Sequence, residues 1–425
     1  MFKRDKPLFS RPTLAVIIVL STLAVWLLNL TSPNIELETP NIEAWRTNSG
    51  IPVYWLSQDA WQGSDKVELA IVLNTPYADA PLTQTTLALL TGPTLPLSTA
   101  TINQRLTPIA AQVNTHYSAQ QQQINVTFSN RPQFLSATLA LLDTWLNDTQ
   151  FKRNALQRYQ QTAKPDLGQT QLMLQLFSSP PSDLSAVSID QLSTHLKRLK
   201  QKVSHIVISG ALDDTAQQQL TQGLDVLTQT MQTATPSERP MLAHQVGVSE
   251  LGKQSLQALY GAIGLHPLTS TEDWLALQIW AKDTLEAQKR QLASQTGQWQ
   301  LHLAPPQAFV TWQLQVPQAV LQSDAITAAA RTGWIVPSTL PSYQDQAAFK
   351  ALKQQLLTQL QGLSQNPSWW RAIASSVALP NAPLPLEDFA NTYSEAANSF
   401  TMEQYQQRID QLLIPSSRQE VLIKL

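Results

Sequence analysis

The run Val67 to Leu73, VELAIVL, reads as a strand, and after a polar turn at Asn74 to Pro81 the chain enters Leu82 to Pro96, LTQTTLALLTGPTLP. Leu87, Leu89 and Leu90 suit a short buried helix. Ile102 to Ala111 then has helical spacing, Val113 to Ala119 and Gln122 to Phe128 read as paired strands, and Pro132 to Leu146 is an amphipathic helix. A chain ordered in this way buries its apolar faces by laying helices on one face of a mixed sheet.

The same half is closed at both ends. Asn48-Ser49-Gly50 forms a turn before the strand Ile51 to Leu56. Ser188 to Leu199 is a helix with Ser188 or Asp190 as N-cap, and it runs into His205 to Asp213, HIVISGALD, an apolar strand ending in Gly and Asp. Thr233 to Val248, with Pro236 and Pro240, is the predicted linker. Beyond it the plan returns: a strand at Leu256 to Gly264, a helix at Glu272 to Ala287 with Thr271 as cap, and an alternating strand at Phe309 to Val316. Helices at Gln344 to Leu363 and at Phe400 to Leu413, capped by Thr401, lead to a closing strand at Val421 to Leu425. No sequence repeat joins the halves; the repeat lies in the order of elements. The predicted fold class is α+β, with two related lobes, each a mixed or antiparallel sheet covered by helices. The lobes are expected at 42–230 and 249–425, with 231–248 between them.

Pro12 to Leu30, PTLAVIIVLSTLAVWLLNL, carries no charge. At about 1.5 Å per residue it spans roughly 28 Å, close to the hydrocarbon thickness of a bilayer. Lys3, Arg4, Lys6 and Arg11 precede it and little positive charge follows before Arg46. The positive-inside rule predicts a cytoplasmic segment 1–11, a transmembrane helix 12–30 and a tether 31–41, with the rest of the chain on the far side. A cleaved signal peptide is the alternative, although the run is long for one and no A-x-A site follows.

The formal net charge of −2 and the 14% of charged residues point away from nucleic acid. The absence of cysteine excludes disulfides, thiolate metal sites and a cysteine nucleophile. The six histidines include no pair at the spacing a helix-borne metal site needs. His116 reads as a surface or packed strand residue, and His195, among Lys197, Arg198 and Lys200, as part of a solvated basic face. Gln120 to Gln123 reads as a solvated turn. Of Trp369 and Trp370, one is expected in the core and one half exposed. No nucleophile elbow, Walker loop or dinucleotide glycine pattern is present.

The turn before the first strand, the helix at Leu82 to Pro96, the helix, strand pair and helix after it, and the closing HIVISGALD together resemble the insulinase/pitrilysin-type zinc peptidases. In that family the Leu82 to Pro96 helix carries the inverted motif H-x-x-E-H. Laid on this chain, the motif falls on Ala88, Leu89, Leu90, Thr91 and Gly92. Zinc hydrolysis needs two neutral imidazoles, a carboxylate as third ligand and a carboxylate base. Ala88 and Gly92 have no lone pair to donate, and Thr91 is no base near neutral pH. The region matching the third ligand, Phe151 to Pro180, has no Glu and a single acid, Asp166. The family's substrate-clamping Arg and Tyr fall on Ala293 and Gln300, within Leu292 to Gln300, while Gly297 is kept.

The resemblance thus implies the scaffold of the family without its catalytic or metal residues. It implies a non-catalytic, peptide-binding or regulatory subunit of a heteromeric zinc peptidase. The partner would be an active chain of the same family, the only one to carry zinc, and the substrate a peptide. By the same analogy the chain would be a single-pass protein of a bacterial inner membrane with its bulk in the periplasm. Alternatives are an envelope scaffold or assembly factor without proteolytic role, and an active metallopeptidase with an unorthodox metal site.

Overall fold

A computed structural model describes residues 37–75, 79–91, 111–118, 121–163, 166–177, 187–234, 241–253, 256–291, 297–304, 307–315, 336–377 and 382–424. The predicted membrane run 12–30 and the helix at 102–111, apart from Ala111, lie outside them. Among the described residues no helix is long and apolar enough to cross a membrane. The single-pass inner-membrane location is corrected accordingly: no described element supports it, and it is withdrawn.

Among the described residues eleven strands form two mixed sheets. The first contains β1 (Asn41–Arg46), β2 (Pro52–Ser57), β3 (Lys66–Leu73), β4 (Gln112–Tyr117), β5 (Gln122–Ser129) and β6 (Val203–Ser209), ordered β1-β2-β6-β3-β5-β4. The second contains β7 (Gly247–Leu251), β8 (Leu256–Leu265), β9 (Gly297–His302), β10 (Phe309–Gln315) and β11 (Leu413–Lys424), ordered β7-β11-β8-β10-β9. Without β1 the two orders are identical, strand for strand. Each sheet has one parallel pair, β2 with β6 and β7 with β11, made when the last strand of the half returns beside the first. The repeat of element order expected from the sequence is therefore a repeat of topology.

HIVISGALD works through its last residues. Gly210 has φ +138, a conformation that suits glycine, and its carbonyl accepts the indole N–H of Trp55 at 2.9 Å. Asp213 then caps the following helix by accepting the Ala216 N–H at 2.7 Å.

The helices of the first half are α1 (Ala80–Leu90), α2 (Pro132–Asn147), α3 (Arg153–Thr162), α4 (Leu167–Phe177), α5 (Ile189–Lys200) and α6 (Asp214–Leu227). Those of ten residues or more in the described part of the second half are α7 (Thr271–Gln291), α8 (Gln346–Leu363), α9 (Pro367–Ser376), α10 (Leu386–Ser399) and α11 (Met402–Leu412). The helix that feeds the closing strand of each half, α5 or α11, starts with a capping box, Ser188 with Gln191 and Thr401 with Gln404. Alternate residues Val67, Leu69 and Ile71 of β3 face a core shared with Leu87, Leu135, Leu142, Leu196 and Leu220 of α1, α2, α5 and α6.

The opposite face of each sheet is covered by a helix from the other half. Leu172, Met173, Leu176 and Phe177 of α4 pack on Tyr260, Ala262, Phe309 and Val421 of the second sheet. In return α9 lies on β2, β3 and β6 of the first sheet. Gln58 and Trp61 fix the turn before α9, donating to the Ser364 and Gln365 carbonyls at 3.0 and 2.7 Å. Each buried apolar side chain on α4 contributes about 1.5–3 kcal/mol relative to exposure.

Fully buried His205 of β6 also meets α9, with Nε2 3.1 Å from the Ala374 carbonyl. Burial pushes this imidazole down to about 4, against an opposing effect of the Ala374 bond. Its folded value thus lies below the unfolded one, and the neutral ring is the form the fold holds. Its contribution is complete above about pH 6.5 and is lost as pH falls from there towards 4, by about 3 kcal/mol in total. Denaturant midpoints at pH 7.5 and 4.5 should fall further apart in the wild type than in His205→Asn. Equal separations would remove His205 from the acid response.

Three sequence expectations need correction. Gln121, Gln122 and Gln123 are buried, since Gln122 Oε1 accepts from the Thr75 N–H and hydroxyl at 3.0 and 2.8 Å. That run opens β5 and is no solvated turn. His195 is 2% exposed and bonds Thr83 Oγ1 at 2.8 Å, so it ties α5 to α1 and belongs to no basic face. Finally, β7 begins inside the predicted linker.

Candidate functional site

Helix α1 starts at Ala80 with Pro81 in its first turn, and Thr85 and Thr86 bond back to the Pro81 and Leu82 carbonyls at 2.8 and 2.7 Å. Leu87, Leu89 and Leu90 face the core, leaving Ala88 half-buried. Thr91 ends the helix, its hydroxyl donating to the Ala88 carbonyl at 3.4 Å and lying 3.5 Å from Thr115 Oγ1 of β4. Gly92 lies outside the described residues. A methyl group and a hydroxyl turned back on its own helix are a donor set that does not fit zinc. Asp166, the acid of the third-ligand region, accepts the Gln169 N–H at 3.0 Å and the Tyr260 hydroxyl at 3.2 Å, which docks α4. Among the described residues no group of three or more His, Cys, Asp or Glu is placed to hold a metal ion.

The predicted clamp positions separate. Ala293 lies outside the described residues, whereas Gln300 is exposed on β9 and lines a cleft of about 400 Å³. That cleft lies between β4 and β9, the end strands of the two sheets, and α9 forms part of its wall. On β4 the even-numbered Asn114 and His116 point into it, as do their odd-numbered partners Asn125 and Gln123 on β5, because Val113 and Tyr117 of β4 and Ile124 and Val126 of β5 face the helices.

Arg371 of α9 is the cation in this wall. It donates through Nε to Glu68 Oε2 at 3.0 Å and through Nη1 to Asn125 Oδ1. Glu68 is also bonded by Ser368 and by Lys66 at 2.7 Å. Burial pushes the Glu68 carboxyl up, but the Lys66, Ser368 and Arg371 bonds outweigh it and hold it below the usual carboxylate range. His302 stacks on Phe309 with ring centres 4.3 Å apart, and its Nε2 lies 3.1 Å from Thr311 Oγ1. Burial, then the facing His116, push His302 down to about 4. Enclosure by the cleft, then the Arg371 charge, hold His116 below its ordinary value as well.

Among the described residues no Asp or Glu lines the cleft, while Asn114, Gln121, Gln123, Asn125 and Gln300 supply amide donors and acceptors. Among the described residues the end strands β4 and β9 each pair with one strand, β5 and β10. Sequence reading passed over Arg371 and Glu68. The available signal was Glu68 itself, a charge inside the otherwise apolar run VELAIVL.

No protein-family model matches the sequence, and no curated protein matches it. Solved structures do. A protease from Helicobacter pylori superposes with a TM-score of 0.68 over 91% of this chain and 100% of that one, at 11% identity. The peptidase M16 inactive domain from Pseudomonas fluorescens superposes with a TM-score of 0.64 over 90% of this chain and 98% of that one, at 15% identity. The fold is that of the M16-like peptidases. This M16-like fold is the insulinase-like scaffold the sequence implied. The periplasmic protease PqqL from Escherichia coli has it too, with a TM-score of 0.63 and 11% identity over 92% of this chain and 47% of that longer one. The M16-like fold is thus shared by proteases and by a domain described as inactive, and residues must decide between them.

Proposed function

We propose that this chain is a non-catalytic M16-like subunit that binds extended peptide in the cleft between β4 and β9 and assists an active zinc peptidase chain. What carries the proposal is the end of α1, a methyl group at Ala88 and a hydroxyl bonded back to its own helix at Thr91, where the sequence resemblance lays a metal ligand and the catalytic base. The inactive M16 domain from Pseudomonas fluorescens supports it as an instance of the same fold without activity. In this reading zinc and hydrolysis belong to the partner, a chain with an intact H-x-x-E-H, and the two lobes at 42–230 and 249–425 act as one peptide-holding body.

Metal analysis of the purified chain should find far less than one zinc per molecule, and chelators should leave no hydrolytic activity to lose. Gentle purification from the native host should recover a second chain bearing the intact motif. Stoichiometric zinc with chelator-sensitive hydrolysis would overturn the non-catalytic assignment. Recovery of the chain alone, with no affinity for peptides, would favour the scaffold reading.

A further inference from the structure

Three elements bring cationic or proton-accepting groups to the cleft: α9 brings Arg371, β4 brings His116 and β9 brings His302. Behind Arg371 stand Glu68 and Lys66 of β3, so two cations share one buried carboxylate and the group keeps a net positive charge. Opposite His116 in the strand pair is Gln123, and behind His302 are Phe309 and Thr311, none of which is charged. Among the described residues no acid lines the wall to balance this set. Arg371 has five N–H groups, of which Glu68 and Asn125 take one each, so its fork retains donors.

We propose that the cleft selects peptides by a carboxylate, at the C-terminus or on an acidic side chain next to it. Arg371, His116 and His302 receive the charge, and Asn114, Gln123 and Gln300 bond the adjoining backbone. This rests on the peptide-binding reading above and adds the chemical class of the ligand. A carboxylate between the two imidazoles favours their protonated forms, so binding takes up protons. Affinity for the carboxylate therefore rises as pH falls below about 6.5, while a neutral ligand gains nothing.

The test uses the full chain and N-terminally labelled, alanine-rich peptides in three forms: free C-terminal acid, C-terminal amide, and amide with a glutamate at the last position. Fluorescence anisotropy should show the free acid binding at least about tenfold more tightly than the amide at pH 6.5, with the ratio growing as pH falls. Recovery of that affinity by the glutamate amide assigns the carboxylate to a side chain, and failure to recover it assigns it to the C-terminus. Gln300→Glu, at an exposed strand position, should erase the preference, and His302→Gln should flatten its pH dependence, with circular dichroism checking the fold of both. Equal binding of all three peptides overturns the carboxylate proposal and leaves peptide binding standing. No binding by any of them overturns the peptide-binding reading, and the proposal with it.

Discussion

Arg371→Ala is expected to lower the unfolding free energy by about 3 kcal/mol at pH 7. The substitution deletes the cation that reaches Glu68 from the other half of the chain and strands a carboxylate that is 5% exposed. Lys66 and Ser368 remain on Glu68, which keeps the loss towards the lower end for a broken buried pair. Glu68 is held below its ordinary value, so its contribution is complete above about pH 4.5 and fades as pH falls through the folded value. The gap between wild type and Arg371→Ala should therefore narrow in acid. In a Glu68→Gln background, Arg371→Ala should cost about 2 kcal/mol less than in the wild type, read from urea midpoints as a double-mutant cycle. Additive effects would show that Arg371 acts on α9 alone.

Trp370→Ala should cost about 4 kcal/mol, the largest effect of a single truncation on α9. Trp370 is fully buried, edge-on to Trp369 and Tyr393 at centroid distances of 4.8 and 5.2 Å. Its indole N–H donates to the Ser364 carbonyl at 2.8 Å, the same carbonyl that Gln58 reaches from the first half. Trp370→Phe keeps most of the apolar volume and gives up that bond, so about 1–2 kcal/mol is expected. Thermal unfolding by differential scanning calorimetry separates the two variants. Trp369→Ala, at a half-buried position, should fall between them.

One inner strand of each sheet was legible because its pattern is local. Val67 to Leu73 and Phe309 to Val316 declare themselves by apolar content and alternation, and Ser188 and Thr401 by the spacing to a glutamine that reaches back. The expected pair of tryptophans, one core and one half-buried, was likewise local. What stayed hidden depends on distant partners. Nothing within Leu167–Phe177 or Pro367–Ser376 reveals that each helix seats on the sheet of the other half. His195 looked basic beside its neighbours in sequence, whereas its partner in space is Thr83. The short edge strand β7 has no apolar run long enough to stand out from a proline-rich stretch. Ala88, Thr91 and Gly92 could be read position by position against the motif that the resemblance implies. The cleft could not, because Asn125, Gln300 and Arg371 come together only when both sheets exist.

The reciprocal seating of α4 and α9 also sets a timetable for synthesis. The apolar flank of α4 is finished before residue 180, yet Val421, part of its seat, is made only after the second half has been synthesised as far as β11. Until then Leu172, Leu176 and Phe177 have nowhere dry to go, and nascent chains stopped short of β11 carry an adhesive stripe in search of cover. In a protein wired in this way the cover for α4 is made after the helix itself, and exposed apolar surface of that kind is prone to association meanwhile.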